Sequence, residues 1–167
     1  MALLNQRYDL VRGLGQGSSG SVFLARDLLH EATPVALKIV PVSRMANRQL
    51  RDIRNEFFTL SELDHPNLVQ ALDFGTIVAA EPPHRRGDHF LTYEYIEGED
   101  LLRATSGSSW QELGELAYQV LRTLGYVHRH GLIHFDIKPE NILVVSGSMS
   151  GDEVRLTKVI DFGFAST

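Results

Sequence analysis

Between Tyr8 and Val40 the chain holds three short runs of β-branched and apolar residues, 8–14, 21–26 and 35–40, broken by glycine and polar clusters. Gly15, Gly17 and Gly20 fall between the first two, and residues 29–34 separate the second from the third. Connections this short join antiparallel neighbours and leave no room for a crossover helix. The chain must therefore open as an antiparallel meander. Over residues 44–63 the pattern changes: Leu50, Ile53, Phe57, Leu60 and Leu63 recur at helical spacing. At 100° per residue those five side chains span about 140° of arc, and Glu56 falls inside it. An unpartnered buried carboxylate costs several kcal/mol, so Glu56 must meet a cation or lie where water enters.

HisProAsn at 65–67 stops this helix, and 68–74 and 90–95 read as two more strands, joined by a polar loop over 77–89. Arg85 and Arg86 in that loop read as a solvated surface. Ser109 and Glu112 form an S-x-x-E capping box. It opens a long helix with Leu113, Leu116, Ala117, Val120, Leu121, Leu124 and Val127 as its apolar face, closed by Gly131. The runs 142–145 and 154–160 then suggest a hairpin joined by the flexible segment SGSMSGD. The fold class is α+β, a five-stranded antiparallel region carrying one helix, followed by a helical region with a β-hairpin.

Composition narrows the function. With 16 Lys+Arg against 21 Asp+Glu the net charge is −5, and the chain lacks the positive field that nucleic-acid binding needs. Cysteine is absent, which removes disulfides, thiolate zinc sites and cysteine nucleophiles. The longest aliphatic run, 142–145, is far shorter than the ~20 residues that cross a bilayer. No export signal stands at the start. The expectation is a cytoplasmic protein with no nucleic-acid or membrane partner.

Three elements carry chemistry. Gly15-x-Gly17-x-x-Gly20-x-Val22 lies between two strands, where bare backbone can close over phosphates. A strand follows the glycines, not a helix, which counts against a dinucleotide fold. Lys38 stands in ValAlaLeuLys, on the same strand face as Ala36. If that face looks toward the glycines, Lys38 meets phosphate oxygens and Glu56 supplies the counter-charge. The third element is HisPheAspIleLysProGluAsn at 134–141 with AspPheGly at 161–163. Asn141 and Asp161 are hard oxygen ligands suited to Mg²⁺. Asp136 can orient a hydroxyl and accept its proton, and Lys138 can neutralise charge on the transferred group. Chance alone would assemble the whole set on the order of 10⁻⁵ to 10⁻⁴ of the time at this composition.

Taken together and in this order, these residues resemble the first part of a eukaryotic-type serine/threonine protein kinase domain. The resemblance runs from Leu14 to Gly163, and LysProGluAsn favours the serine/threonine branch. It implies a kinase N-lobe and hinge over 1–96 and an incomplete C-lobe over 97–167. It further implies ATP and Mg²⁺ as cofactors and a protein as substrate. By the resemblance, Leu14, Gly15, Gly17, Gly20 and Val22 cover ATP, and Lys38 paired to Glu56 anchors its phosphates. Tyr93 guards the back of the pocket, Glu94 and Ile96 offer main-chain hydrogen bonds to adenine, and Val22, Ala36 and Leu143 sandwich the ring. Asp100 is the ribose candidate, Asp136 the base with Lys138 beside it, and Asn141 and Asp161 the Mg²⁺ ligands.

Phe135 stands where most members of that family carry Arg, the partner of a phosphorylated activation loop. The chain also stops four residues beyond Gly163. The expectation is therefore a fragment, a truncated product or the leading part of a larger protein, with further domains C-terminal to it. The alternative is an inactive nucleotide-binding or regulatory module. Small-molecule phosphotransferases share an H-x-D-x4-N loop but are disfavoured by HisProAsn and LysProGluAsn. A metal site from His128, His130 and His134 is disfavoured because Gly131 interrupts their helix.

Overall fold

The computed structural model describes residues 2–17, 20–42, 47–80, 84–149 and 152–162. They form two compact units, Met1–Phe58 with Gln70–Tyr95, and Thr59–Val69 with Ile96–Thr167.

The first unit is a six-stranded antiparallel sheet in the order β1-β2-β3-β4-β6-β5. Its strands are β1 (Ala2–Leu4), β2 (Tyr8–Gly17), β3 (Gly20–Asp27), β4 (Thr33–Val40), β5 (Ala71–Thr76) and β6 (His89–Glu94). The expected meander is β2 to β4. The strand beyond the expected five is β1, whose three residues are too short for any periodicity to register. It turns back through Asn5 and Gln6 at φ 52° and 56°. The strand expected over 68–74 begins at Ala71 instead. Leu68 makes a parallel bridge to Val159, and the Val69 N–H donates to the Val159 carbonyl at 3.0 Å, so this short stretch joins the second unit.

Alternation along β4 divides the sheet into two faces. Val35, Leu37 and Ile39 join Leu4, Tyr8, Leu10, Ala25, Ile77 and Phe90 in a buried apolar cluster. Ala36 and Lys38 point the other way, opposite Leu24 and Val22 on β3 and Tyr93 and Leu91 on β6. Helix α1 (Asn47–Ser61) packs on this second face, the Phe57 ring lying 5.8 Å from both Phe74 and Tyr93. Residues 43–46, where the sequence expectation starts this helix, lie outside the described residues.

The second unit holds β7 (Glu99–Asp100), α2 (Leu101–Ala104), α3 (Trp110–Arg129), β8 (Ile142–Met149) and β9 (Asp152–Val159). Strands β7, β8 and β9 form one small sheet in that order. The hairpin is longer than expected: Ser146, Gly147, Ser148 and Met149 pair with Arg155, Val154, Glu153 and Asp152. Ladder hydrogen bonds use only backbone, so serine and glycine extend a ladder their neighbours have begun. The tip at 150–151 lies outside the described residues.

The Ser109 capping box forms as the sequence indicates, with the Ser109 N–H donating to Glu112 Oε2 at 2.7 Å and the Glu112 N–H to Ser109 Oγ at 3.3 Å. The buried stripe of α3 is Leu116, Val120, Thr123 and Val127. Ala117 and Leu121, expected on that face, are exposed. Thr123 is tolerated inside because its hydroxyl donates back to the Gln119 carbonyl at 2.8 Å.

Gln119 ties α3 to β9. Its Oε1 accepts from the Thr157 N–H at 2.8 Å and from Asn67 Nδ2 at 3.0 Å, while its Nε2 donates to the Arg155 carbonyl at 3.0 Å. Asn67 Nδ2 also reaches the Thr157 carbonyl at 2.8 Å. Removing one partner strands buried donors, at about 1–3 kcal/mol. Gln119→Ala is therefore expected to lower the unfolding free energy by about that amount in urea titration, with Gln119→Glu falling between it and the wild type.

Candidate active site

The glycines of β2 close a hairpin against β3, Gly15 facing Val22 and Gly17 facing Gly20; Ser18 and Ser19 lie outside the described residues. Gly20 is required locally, since its φ is 141° and a Cβ there would meet the Ile39 carbonyl oxygen. A Cβ at Gly13, Gly15 or Gly17 would meet nothing within 4 Å. No contact within the described residues asks for glycine at these three positions, and they leave bare backbone open to a ligand. Leu14 beside them is exposed.

Lys38 is 3% exposed at the centre of β4, with Val22 directly opposite on one neighbouring strand and Leu91 on the other. Ala36 and Tyr93 share its face. Glu56 is half-buried on α1, beside the Phe57 that packs on that same face. Burial, and secondarily the charge of Asp52, push its carboxyl above the ordinary value.

The segment after β6 is tied by Glu94. Its N–H donates to the Gln70 carbonyl at 2.9 Å, and its Oε1 accepts from the Gln70 N–H at 3.0 Å. Ile96 is half-buried in the second unit. Asp100 caps α2, accepting from the Arg103 N–H at 3.0 Å, with Arg103 Nε at 3.4 Å. Leu143 lies between Asp100 on β7 and Lys158 on β9.

Four of the sequence-derived residues converge within the second unit. Phe135 holds φ 59°, and the Asp136 N–H folds back onto the His134 carbonyl at 2.8 Å, a three-residue γ-turn of the strained hand. Such strain costs about 1–3 kcal/mol and collects at functional sites. Here it delivers the Asp136 carboxylate to Lys138 Nζ at 2.7 Å and Asn141 Nδ2 at 3.0 Å, both on Oδ2. Asn141 Nδ2 also donates to the Asp136 carbonyl at 2.8 Å, which leaves the amide oxygen as the acceptor the residue still offers. The Asp136 carboxyl is held below the ordinary value, chiefly by its hydrogen bond from Lys138, and Lys138 is raised by the same bond. Among the described residues Asp136 Oδ1 accepts no hydrogen bond.

Asp161 is brought beside this loop, because the Ile160 N–H donates to the Asn141 carbonyl at 2.9 Å and His134 Nε2 lies 2.9 Å from the Ile160 carbonyl. Asp161 itself sits at φ 51°. Gly163 lies outside the described residues. Among the described residues no three His, Asp or Glu side chains gather to hold a metal. Asn141 and Asp161 are nonetheless a fitting donor pair for Mg²⁺, which keeps water and phosphate as its other ligands. The resemblance implies that His134 is a core residue supporting the Asp161 loop, and His134 is buried with its ring against Phe162, centroids 4.5 Å apart.

The protein kinase domain model matches residues 8–167 of this sequence. The chain belongs to the protein kinase family. Curated relatives include serine/threonine-protein kinase CST20 of Candida albicans, 34% identical over 97% of this chain and 12% of that protein. Serine/threonine-protein kinase PrkC of Bacillus subtilis is 29% identical over 98% of this chain and 23% of that protein. The probable serine/threonine-protein kinase PknB of Bifidobacterium longum is 32% identical over 98% and 23%. The kinase-family chain thus spans less than a quarter of these relatives' length.

In this kinase domain His134 must be neutral: Nε2 donates to a carbonyl, while Nδ1 faces the Asp136 N–H at 3.4 Å. Burial, the leading cause, lowers its pKa from 6.5. The unfolded chain therefore binds a proton that the folded one refuses, and stability falls as pH drops through about 6.5. His65 and His84 are lowered too and act in the same direction. Replacing His134 with Gln is expected to flatten the fall in melting temperature between pH 7 and 5 by part of its slope.

Proposed function

We propose that the chain carries the nucleotide-binding and phosphoryl-transfer centre of a cytoplasmic serine/threonine protein kinase, with residues 1–96 as N-lobe and hinge and 97–167 as the start of the C-lobe. The observation that carries this reading is the Asp136 carboxylate: ionised, fixed through Oδ2 by Lys138 and Asn141, and open at Oδ1 to a hydroxyl donor. Such a group orients an attacking serine or threonine hydroxyl and takes its proton as the oxygen bonds to phosphorus. Lys138, paired to Asp136, would offset charge on the transferred group.

Lys38 is the anchor for nucleotide phosphates, and Glu56 its counter-charge. What supports that pairing is the packing of α1, which carries Glu56, on the sheet face that carries Lys38; the Glu56 carboxyl stands above its ordinary value, so the two are not paired without nucleotide. Leu14, Gly15, Gly17 and Gly20 cover the phosphates, with Val22, Ala36 and Leu143 around the adenine. The Glu94 N–H is already committed to Gln70, so its contribution to adenine would come from the carbonyl, with Ile96 giving the N–H. Asp100 is the ribose partner; its carboxylate would have to share its bonds to Arg103. When bound, Mg²⁺ on Asn141 and Asp161 supplies charge neutralisation for the triphosphate.

In protein containing this domain, Lys38→Met and Asp136→Asn should each lower phosphate incorporation into a serine-containing protein by about 10²-fold or more. Asp136→Asn should leave Mg·ATP binding intact. Binding without transfer in the wild type would favour a regulatory module and overturn the catalytic reading.

Phe135 offers no guanidinium to an activation-segment phosphate. Phosphatase treatment is therefore expected to leave turnover unchanged, and Phe135→Arg to create a dependence on phosphorylation. Turnover lost on dephosphorylation, with Phe135→Arg making no difference, would contradict this.

A further inference from the structure

The strand that carries Gly13, Gly15 and Gly17 has little of its own to hold its register. Every residue of β2 after Leu10 is exposed, and its ladder with β3 shifts register twice, between Leu10 and Arg12 and between Gly13 and Gly15. A glycine-rich strand that buries neither face is weakly specified, and a one-residue slip reverses which face each side chain occupies. The fixed points lie at its other end. Tyr8 is fully buried and Leu10 is 7% exposed.

Just before them, Arg7 makes a fork. Its Nε and Nη2 each lie 2.8 Å from one oxygen of Asp27, and Nη1 lies 2.7 Å from Asp73 Oδ2. Asp27 ends β3 and stands in register with Tyr8, so the fork clamps the open base of the glycine hairpin. Asp73 is on β5, at the opposite edge of the sheet, and also accepts from the Tyr8 hydroxyl at 3.0 Å. Asn5 adds a second stitch to the same edge. Its N–H donates to the Ala79 carbonyl at 2.7 Å, its Nδ2 to the Thr76 carbonyl at 2.8 Å, and its Oδ1 accepts from the Val78 N–H at 2.8 Å. The Asp27 side chain is only 7% exposed, and a bidentate, partly buried Arg–carboxylate pair is the geometry in which ion pairs fix position. The Asp27 carboxyl is held at about 2, first by the Arg7 hydrogen bond, so the clamp stays ionised at neutral pH.

We infer that Arg7, with Asp27 and Asp73, locks the register of the glycine-rich strand and so acts as a positioning residue for nucleotide binding from the far end of that strand. The inference rests on reading the glycine hairpin as a phosphate cradle. Lysine cannot substitute, because a point charge lacks the fork that holds both Asp27 oxygens and Asp73 at once.

The test is a fluorescence titration with an N-methylanthraniloyl ATP analogue and Mg²⁺, at a temperature where circular dichroism shows each variant folded. Arg7→Ala is expected to weaken binding roughly five-fold or more. Amide hydrogen exchange over residues 11–17 should accelerate in the same variant. Arg7→Lys should recover melting temperature but not full affinity. Ile77→Val, which trims the same apolar cluster without touching the clamp, should lower the melting temperature and keep affinity within about two-fold. If Arg7→Ala fails to fold, Asp73→Asn replaces it, with a smaller loss of affinity expected and no change overturning the inference. Wild-type affinity in Arg7→Ala, or an equal loss in Ile77→Val, overturns the register lock alone. A wild-type chain that binds no nucleotide overturns the cradle reading, and the inference with it.

Discussion

An ammonium group buried in the middle of a β-sheet is the constraint around which the first unit is arranged. Lys38 is 3% exposed, on the face of β4 that also carries Ala36, and burying a charge is costly without compensation. The opposite face of that strand goes to a dry apolar cluster of Val35, Leu37 and Ile39 with Tyr8, Leu10 and Phe90. The sheet therefore has one face made for stability and one that holds charge. Helix α1 packs on the charged face through Phe57, and it carries Glu56, whose carboxyl is raised by burial and by Asp52 and is not lowered by the lysine.

The second unit solves a different problem, which is to hold a carboxylate still while leaving one oxygen available. The γ-turn at Phe135 aims Asp136, and Lys138 and Asn141 grip one oxygen. A strained turn persists only where its surroundings over-determine it. Here the surroundings are the neutral His134, bonded to the Ile160 carbonyl and packed against the tilted Phe162 ring, and the Asn67–Gln119–Thr157 network that fixes β9 against α3. Asp161 follows directly from Ile160, so Asp136 and Asp161 are set by one short chain of hydrogen bonds.

How much of this was legible depended on range. The capping box of α3, the glycine hairpin, the lysine at the middle of its strand and the carboxylate within the α1 stripe are local patterns, and each could be read from neighbours in sequence. Strand β1 could not, because three residues carry no period and its pairing depends on a turn with two non-glycine residues at positive φ. The length of the β8–β9 hairpin was hidden by Ser146, Gly147 and Ser148, which read as a loop until a partner strand lies beside them. Thr123 was missed because its burial depends on its hydroxyl finding a carbonyl one turn back. The clamp from Arg7 to Asp73 spans most of the first unit's sequence and exists only once the sheet has curled.

The central claim is that Lys38, on the charged sheet face, meets the phosphates of a bound nucleotide. A structure determined with Mg²⁺ and a non-hydrolysable ATP analogue tests it most directly. The account predicts phosphate oxygens within about 3 Å of Lys38 Nζ and the metal on Asn141 and Asp161. A nucleotide seated elsewhere, with Lys38 untouched and the metal on other ligands, would contradict it.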